Sequence, residues 1–192
     1  GHLWVYSNEL DTPEGFRQLP VGSLCRLLDD RGRPLGTGYL NPHTLIAVRL
    51  LTGAAQAQID TDWFVRRFES ALALRQRRYP TPHYRLVFGE SDGLPGLVID
   101  RFGDTAVVQP NAAWLEVRLE ALTAALQQVT GVQHVLKNAG GRTRALEGLD
   151  DQSGVLAGQA PDTPLPVTMN GATYMADVTG GQKTGLFFDQ RP

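Results

Sequence analysis

The 192-residue chain holds a single cysteine, Cys25, and only two lysines, Lys137 and Lys183, among its 18 basic residues. One thiol excludes an internal disulfide framework and a multi-cysteine zinc cluster, and it fits the reducing cytoplasm. The four histidines, His2, His43, His83 and His134, are far apart and form no metal-ligand spacing, so no metal is expected. No apolar run approaches the roughly 18 residues that span a bilayer, and the amino terminus lacks the basic-then-apolar pattern of a secretory leader, so no membrane partner is expected. What is present is a globular composition: 42% hydrophobic residues, enough for the core of one domain or two small ones.

Net charge is −2, which argues against a chain that is a basic nucleic-acid binder throughout. Its distribution is uneven. Residues 1–60 carry 5 basic and 6 acidic side chains, residues 61–85 carry 6 and 2, and residues 86–192 carry 7 and 12. The positive excess lies in one short segment, and its basic side chains are arginines, whose planar guanidinium suits phosphates and stacked bases. Genome composition accounts for an arginine bias equally well.

Short strands with turn residues between them are expected from Val21 to about Leu51: Gly22–Leu28, a turn at Asp29–Gly32, Leu35–Leu40, a turn at Asn41–Pro42, and Thr44–Leu51. With Leu3–Tyr6 as a first strand and residues 8–20 as a connection, this spacing predicts a small β barrel or sandwich. Asp60 or Thr61 is placed to cap a helix running to about Tyr79, with Phe64, Phe68, Ala71, Leu72 and Leu74 on one face and Pro80 ending it. The other face would then carry Arg66, Arg67, Arg75, Arg77 and Arg78, a stripe able to neutralise phosphates or simply a solvated helix between two units.

A second unit follows. Tyr84–Phe88, Leu97–Arg101 and Thr105–Gln109 read as strands, and Leu115, Leu119, Leu122, Leu126 and Val129 mark one helix with Asn111 as cap and Gly131 as stop. Val132–Lys137, Gly154–Gln159 and Pro166–Asp177 supply further strands, giving a compact α+β unit.

Few residues announce chemistry. Lys183-Thr184 matches the end of a phosphate-binding loop, but Gln182 and Asp177 occupy the places of its two glycines. Gly36-Thr37-Gly38 runs into another strand instead of a helix, which excludes a dinucleotide fingerprint. The acidic stretch from Glu90 to Arg101 reads as turn chemistry, with Asp92-Gly93 and Pro95-Gly96 as turn pairs. Cys25 has no histidine near it in sequence and reads as a small buried hydrophobe. Trp4, Tyr6 and Tyr39 suit base stacking but more commonly form core. Asn138 to Arg144, with Arg142 and Arg144, either touches nucleic acid or turns the chain.

Four stretches carry a resemblance: His2-Leu-Trp-Val-Tyr-Ser-Asn8; Leu35-Gly-Thr-Gly-Tyr-Leu-Asn-Pro42 with Ile46-Ala-Val-Arg49; Gly89 to Arg101; and Gly180-Gly-Gln-Lys-Thr-Gly-Leu-Phe-Phe-Asp-Gln-Arg191. In this order, they resemble the S-adenosylmethionine-dependent methyltransferases of large-subunit ribosomal RNA that place a PUA domain and a strand-strand-helix-strand-strand domain before a Rossmann-like catalytic domain. The resemblance implies a mixed α+β chain: a PUA-like barrel over residues 1–60, a linking helix over 61–82, a central α+β domain over 83–178 and a junction over 179–192. It also implies ribosomal RNA as partner, with Arg66, Arg67, Arg75, Arg77, Arg78, Arg142 and Arg144 as candidate RNA contacts, and a homodimer as an assembly to test. The catalytic domain of that family would follow the Gln-Lys-Thr-Gly stretch, so this portion alone is expected to be inactive and to hold no cofactor. Lys183, Thr184, Gly185, Phe188, Asp189, Gln190 and Arg191 would edge the S-adenosylmethionine pocket. The implied reaction is methylation of cytosine at C5, in which a cysteine thiolate adds to C6 and C5 takes the methyl group; Cys25 does not match the family's catalytic position. The alternative is a stand-alone RNA-binding module without catalysis.

Overall fold

A computed structural model describes residues 3–180 and 184–188 of the chain. Strands β1 (Trp4–Tyr6), β2 (Leu24–Leu28), β3 (Pro34–Leu40) and β4 (Ile46–Thr52) form an antiparallel sheet in the order β1-β4-β3-β2. The turn between β2 and β3 follows from its sequence: the Asp29 carboxylate accepts hydrogen bonds from the backbone N–H of Arg31 at 3.0 Å and of Arg33 at 2.8 Å. The connection before β2 holds single 3-10 turns at Ser7–Glu9 and Phe16–Gln18.

Helix α1 (Thr61–Gln76) begins as expected, with Asp60 Oδ1 accepting from Trp63 N at 2.9 Å. It buries Trp63, Phe64, Phe68 and Ala71. Leu74, expected on the same face, is 58% exposed, because it lies beyond Arg67 and Ser70 on a flank that opens to solvent.

The central sheet contains β5 (His83–Phe88), β6 (Leu97–Phe102), β7 (Thr105–Pro110), β8 (His134–Lys137) and β9 (Gly154–Ala157), side by side in that order. Its pairs are antiparallel except β7 with β8, which run parallel. A parallel pair needs a crossover, and α2 (Ala113–Glu116) and α3 (Leu119–Thr130) provide it. The single helix expected here is therefore two, broken at Val117–Arg118, where Arg118 leaves helical geometry at φ −129°. Gly131 ends α3 in the left-handed conformation, as its sequence position predicts. Asn111 is not the cap; its backbone N–H bonds to Gly96 O at 2.9 Å. Residues 142–146 form a short helix, α4 (Arg142–Leu146), inside the expected polar loop.

The stretch expected as one strand from Pro166 to Asp177 is a hairpin, β10 (Leu165–Met169) and β11 (Ala172–Ala176). Asn170 and Gly171 turn it, with φ of 52° and 77°, the pair that a two-residue hairpin demands.

Period-two alternation gives the central sheet two cores. Leu97, Ile99, Ala106, Val108 and Val135 face α1 and α3, in a core that extends into the first sheet through Tyr39 and Leu51. Phe102, Val107 and Leu136 face the other way, against Val167, Met169, Ala176, Val178 and Phe188. The whole is a mixed α+β fold whose first sheet and central unit share one interior.

Candidate nucleic-acid interface

The five arginines of and after α1 do not form one stripe. At 100° per residue, Arg66 and Arg77 fall on one outward face and Arg75 on the opposite side. Arg66, Arg77 and Arg78 are exposed. Arg75 grips Asp92 with two hydrogen bonds of 2.6 and 2.8 Å and donates to Arg85 O at 3.1 Å, tying α1 to the turn after β5. Its guanidinium is mostly buried and engaged within the protein by these three bonds. Arg67 lies between these extremes: it sits over the Trp63 ring, 5.0 Å from the centroid, and donates to Leu51 O at 3.2 Å.

Between the end of β4, the loop behind it and the start of α1 runs a groove of about 540 Å³, lined by Thr52, Ala54, Ala57, Gln58, Asp60, Trp63, Arg66, Arg67 and Ser70. It exists because α1 packs its aromatic face on the central sheet while Leu51 and Ile59 hold its first turns against the first sheet.

Of the two arginines on α4, Arg142 is exposed and Arg144 is buried at 1% exposure. Arg144 donates to Pro110 O at 2.6 Å, Glu116 Oε2 at 2.9 Å, Asp150 O at 2.8 Å and Asp150 Oδ1 at 3.4 Å. Such a buried, paired guanidinium anchors a loop. Lys137 reinforces the same site through an ion pair with Glu116.

Sequence reasoning missed the seam between the two units. Glu147, 5% exposed, accepts from the Asn41 side chain at 3.3 Å and pairs with Arg49 at 3.5 Å. Arg49 also reaches Glu90 at 3.4 Å and lies 5.4 Å from the Trp4 ring centroid, while the Trp4 indole donates to Glu90 at 3.2 Å. The seam thus fixes the first sheet at its angle to the central unit. Trp4 belongs to this seam, and Tyr39 is core, packed 5.8 Å from Trp114 with its hydroxyl unpartnered among the described residues. Burial and the nearby Glu147 carboxylate push the Tyr39 phenol well above its ordinary range. The local sequence signal at the seam is the Asn41-Pro42 pair, which reads as a turn, although Trp4, Arg49 and Glu90 also lie within the stretches that carry the resemblance.

At the other end, Lys183, Asp189, Gln190 and Arg191 lie outside the described residues, as do His2, Gly181 and Gln182. The described part of the segment folds back onto the central sheet. Thr184 is fully buried and its hydroxyl donates to Asp100, itself fully buried and held by Arg85 through bonds of 2.9 and 3.1 Å. Gly185 passes so close to Asp177 that a Cβ would lie 2.5 Å from its carbonyl oxygen. Phe188 is buried 5.2 Å from Phe102. The Thr184 hydroxyl and the Phe188 ring are thus both engaged within this chain. Asp100 could be read in advance only as part of an acidic turn region.

Among the described residues no group of histidine, cysteine and carboxylate side chains is arranged to hold a metal ion, and no helix is long and apolar enough to cross a membrane. Cys25 is half-buried, and burial pushes its thiol up to about 11, opposite to what a nucleophile at neutral pH requires. The acidic stretch is structural: Asp92 accepts from Phe88 N at 2.6 Å besides pairing with Arg75.

Comparison with known proteins gives a consistent result. Residues 1–53 match a family model described as a PUA-like domain. The ribosomal RNA large subunit methyltransferase I of Alteromonas mediterranea is 37% identical over 193 residues, covering 99% of this chain and 48% of that protein. Proteins of the same name from Erwinia tasmaniensis and Photobacterium profundum are 37% and 35% identical with the same coverage. The chain therefore spans about half the length of the curated relatives it matches. Among solved structures, a candidate SAM-dependent methyltransferase from Streptococcus mutans superposes with a TM-score of 0.79 at 21% identity, over 98% of this chain and 47% of that one. A candidate methyltransferase complexed with SAH gives 0.80 at 21% identity, over 100% of this chain and 47% of that one. These two likenesses establish the fold.

Proposed function

We propose that the chain is the RNA-positioning amino-terminal portion of an S-adenosylmethionine-dependent methyltransferase of large-subunit ribosomal RNA, with cytosine C5 as the favoured target. The observation that carries this reading is the 37% identity along 99% of the chain to proteins so named; the PUA-like match at residues 1–53 supports it. In this reading Arg66, Arg67, Arg77, Arg78 and Arg142 hold RNA phosphates, and the Glu147–Arg49–Glu90 seam keeps the first sheet and α1 in one fixed relation to the RNA. Thr184 and Phe188 anchor the segment that leads toward the methyl-transferring half, and Lys183, Asp189, Gln190 and Arg191 are the remaining candidates for its pocket edge. A bound S-adenosylmethionine would supply the methyl group; no side chain described here performs the transfer.

The test uses the full-length gene product, S-adenosylmethionine labelled in its methyl group, and large-subunit ribosomal RNA from cells lacking the gene. Label should enter the RNA and be recovered as 5-methylcytosine after digestion. The 192-residue chain should bind the RNA and transfer nothing. Full-length protein that binds without transfer would favour the RNA-binding module, and turnover by the short chain would overturn the division of roles.

A further inference from the structure

The groove beside α1 presents two arginines in different states. Arg67 is fixed on three sides: by the Trp63 ring, by Leu51 O, and by Gly93, where an added Cβ would lie 2.6 Å from Nη1. Arg66 is exposed, and no hydrogen bond or ion pair engages its guanidinium among the described residues. One fork is therefore oriented in advance and the next is free to close on a ligand, which lowers the ordering cost of binding an anion. The carboxylate lining the groove, Asp60, is directed at the helix terminus by its bond to Trp63 N.

Among the residues lining the groove, no aromatic face is open to a base. Trp63 is 6% exposed and Arg67 covers its face. The outward face of α1 continues the cationic path: Arg66, Ser70, Ala73 and Arg77 are all exposed and share one side of the helix. A rise of about 1.5 Å per residue separates the two arginines by about 16 Å, with Ser70 and Ala73 between them and the exposed Glu69 at the edge of the same face.

We infer that this groove seats the phosphodiester backbone of single-stranded RNA without regard to base, with Arg66 and Arg67 as ligands of neighbouring phosphates and Arg77 as a further contact along the lane. The inference rests on the RNA-positioning reading above.

Fluorescence anisotropy of the whole chain, with labelled single-stranded RNA of mixed sequence and with oligouridine over a salt series, tests it. Each phosphate contact on a single strand contributes about 0.7 to the slope of log affinity against log salt. Arg66→Ala should lower the slope by about 0.7 and Arg66→Ala with Arg67→Ala by about 1.4, equally for both RNAs. Because Arg67→Ala removes a packed side chain, Arg67→Lys, which keeps the charge and loses the planar fork, should weaken binding with little change in slope. RNA binding with an unaltered slope in Arg66→Ala would overturn the groove and leave the RNA-positioning reading standing. A loss confined to one of the two RNAs would overturn backbone-only recognition, and failure of the unaltered chain to bind either RNA would overturn both readings.

Discussion

Arg144 and Arg66 both lie on helices whose sequences are rich in arginine, yet they do opposite work. Arg144, at 1% exposure, has its donors on two backbone carbonyls and two carboxylates of the central unit. Arg66 is exposed at the lip of a groove and engages none. The difference lies in what surrounds each position. Around Arg144, the ends of β7 and α2 and the loop at Asp150 converge with acceptors; beside Arg66, the first sheet stops short and leaves an opening. An arginine count measures neither binding nor stability until its partners are known.

The largest effect that separates the two regions should come from Arg144→Ala. It strands Glu116 and Pro110 O without their buried donor and should lower stability by about 3–5 kcal/mol in urea denaturation. A loss below about 1 kcal/mol would mean that water replaces the guanidinium and that the two regions differ less than the geometry implies. Phe188→Ala removes the ring packed on Phe102 and should cost about 3 kcal/mol; limited proteolysis should then cut near residues 184–188 first. Arg75→Ala loses the paired bonds to Asp92 and should cost about 2 kcal/mol.

Cys25 provides a half-buried group without an ionic partner. Its thiol is raised from an ordinary 9.0 to about 11, so above pH 9 the unfolded chain gives up a proton that the folded chain keeps. Stability should be insensitive to this group below pH 9 and fall as pH rises from 9 to 11, and Cys25→Ala should flatten that decline in pH-dependent denaturation. Arg66→Ala should shift stability least, within about 0.5 kcal/mol, while weakening RNA binding. A large destabilisation there would show a partner and erase the contrast with Arg144.

Much of the architecture is legible in advance because its signals are local. Asp60 caps α1, Gly131 stops α3, and the alternation in β6 and β7 marks two buried faces. The β10–β11 hairpin was equally legible at Asn170-Gly171, although the apolar run on both sides reads as one strand. The break at Val117–Arg118 is not legible, since the leucine stripe continues across it in helical spacing. The sorting of arginines is not legible either. Arg75 meets Asp92 and Arg144 meets Glu116 across 17 and 28 residues, and no local periodicity links them.

By itself, the sequence determined the strands of the first sheet, the start of α1, the end of α3 and the placement of positive charge in residues 61–85, because caps, turns and side-chain periodicity act within a few residues. Tertiary structure decided which guanidinium groups remain for a ligand, that Phe188 and Thr184 belong to the interior of this chain, and that a groove opens between the first sheet and α1. Those outcomes depend on burial and on acceptors brought together from distant segments, and only the folded chain brings them together.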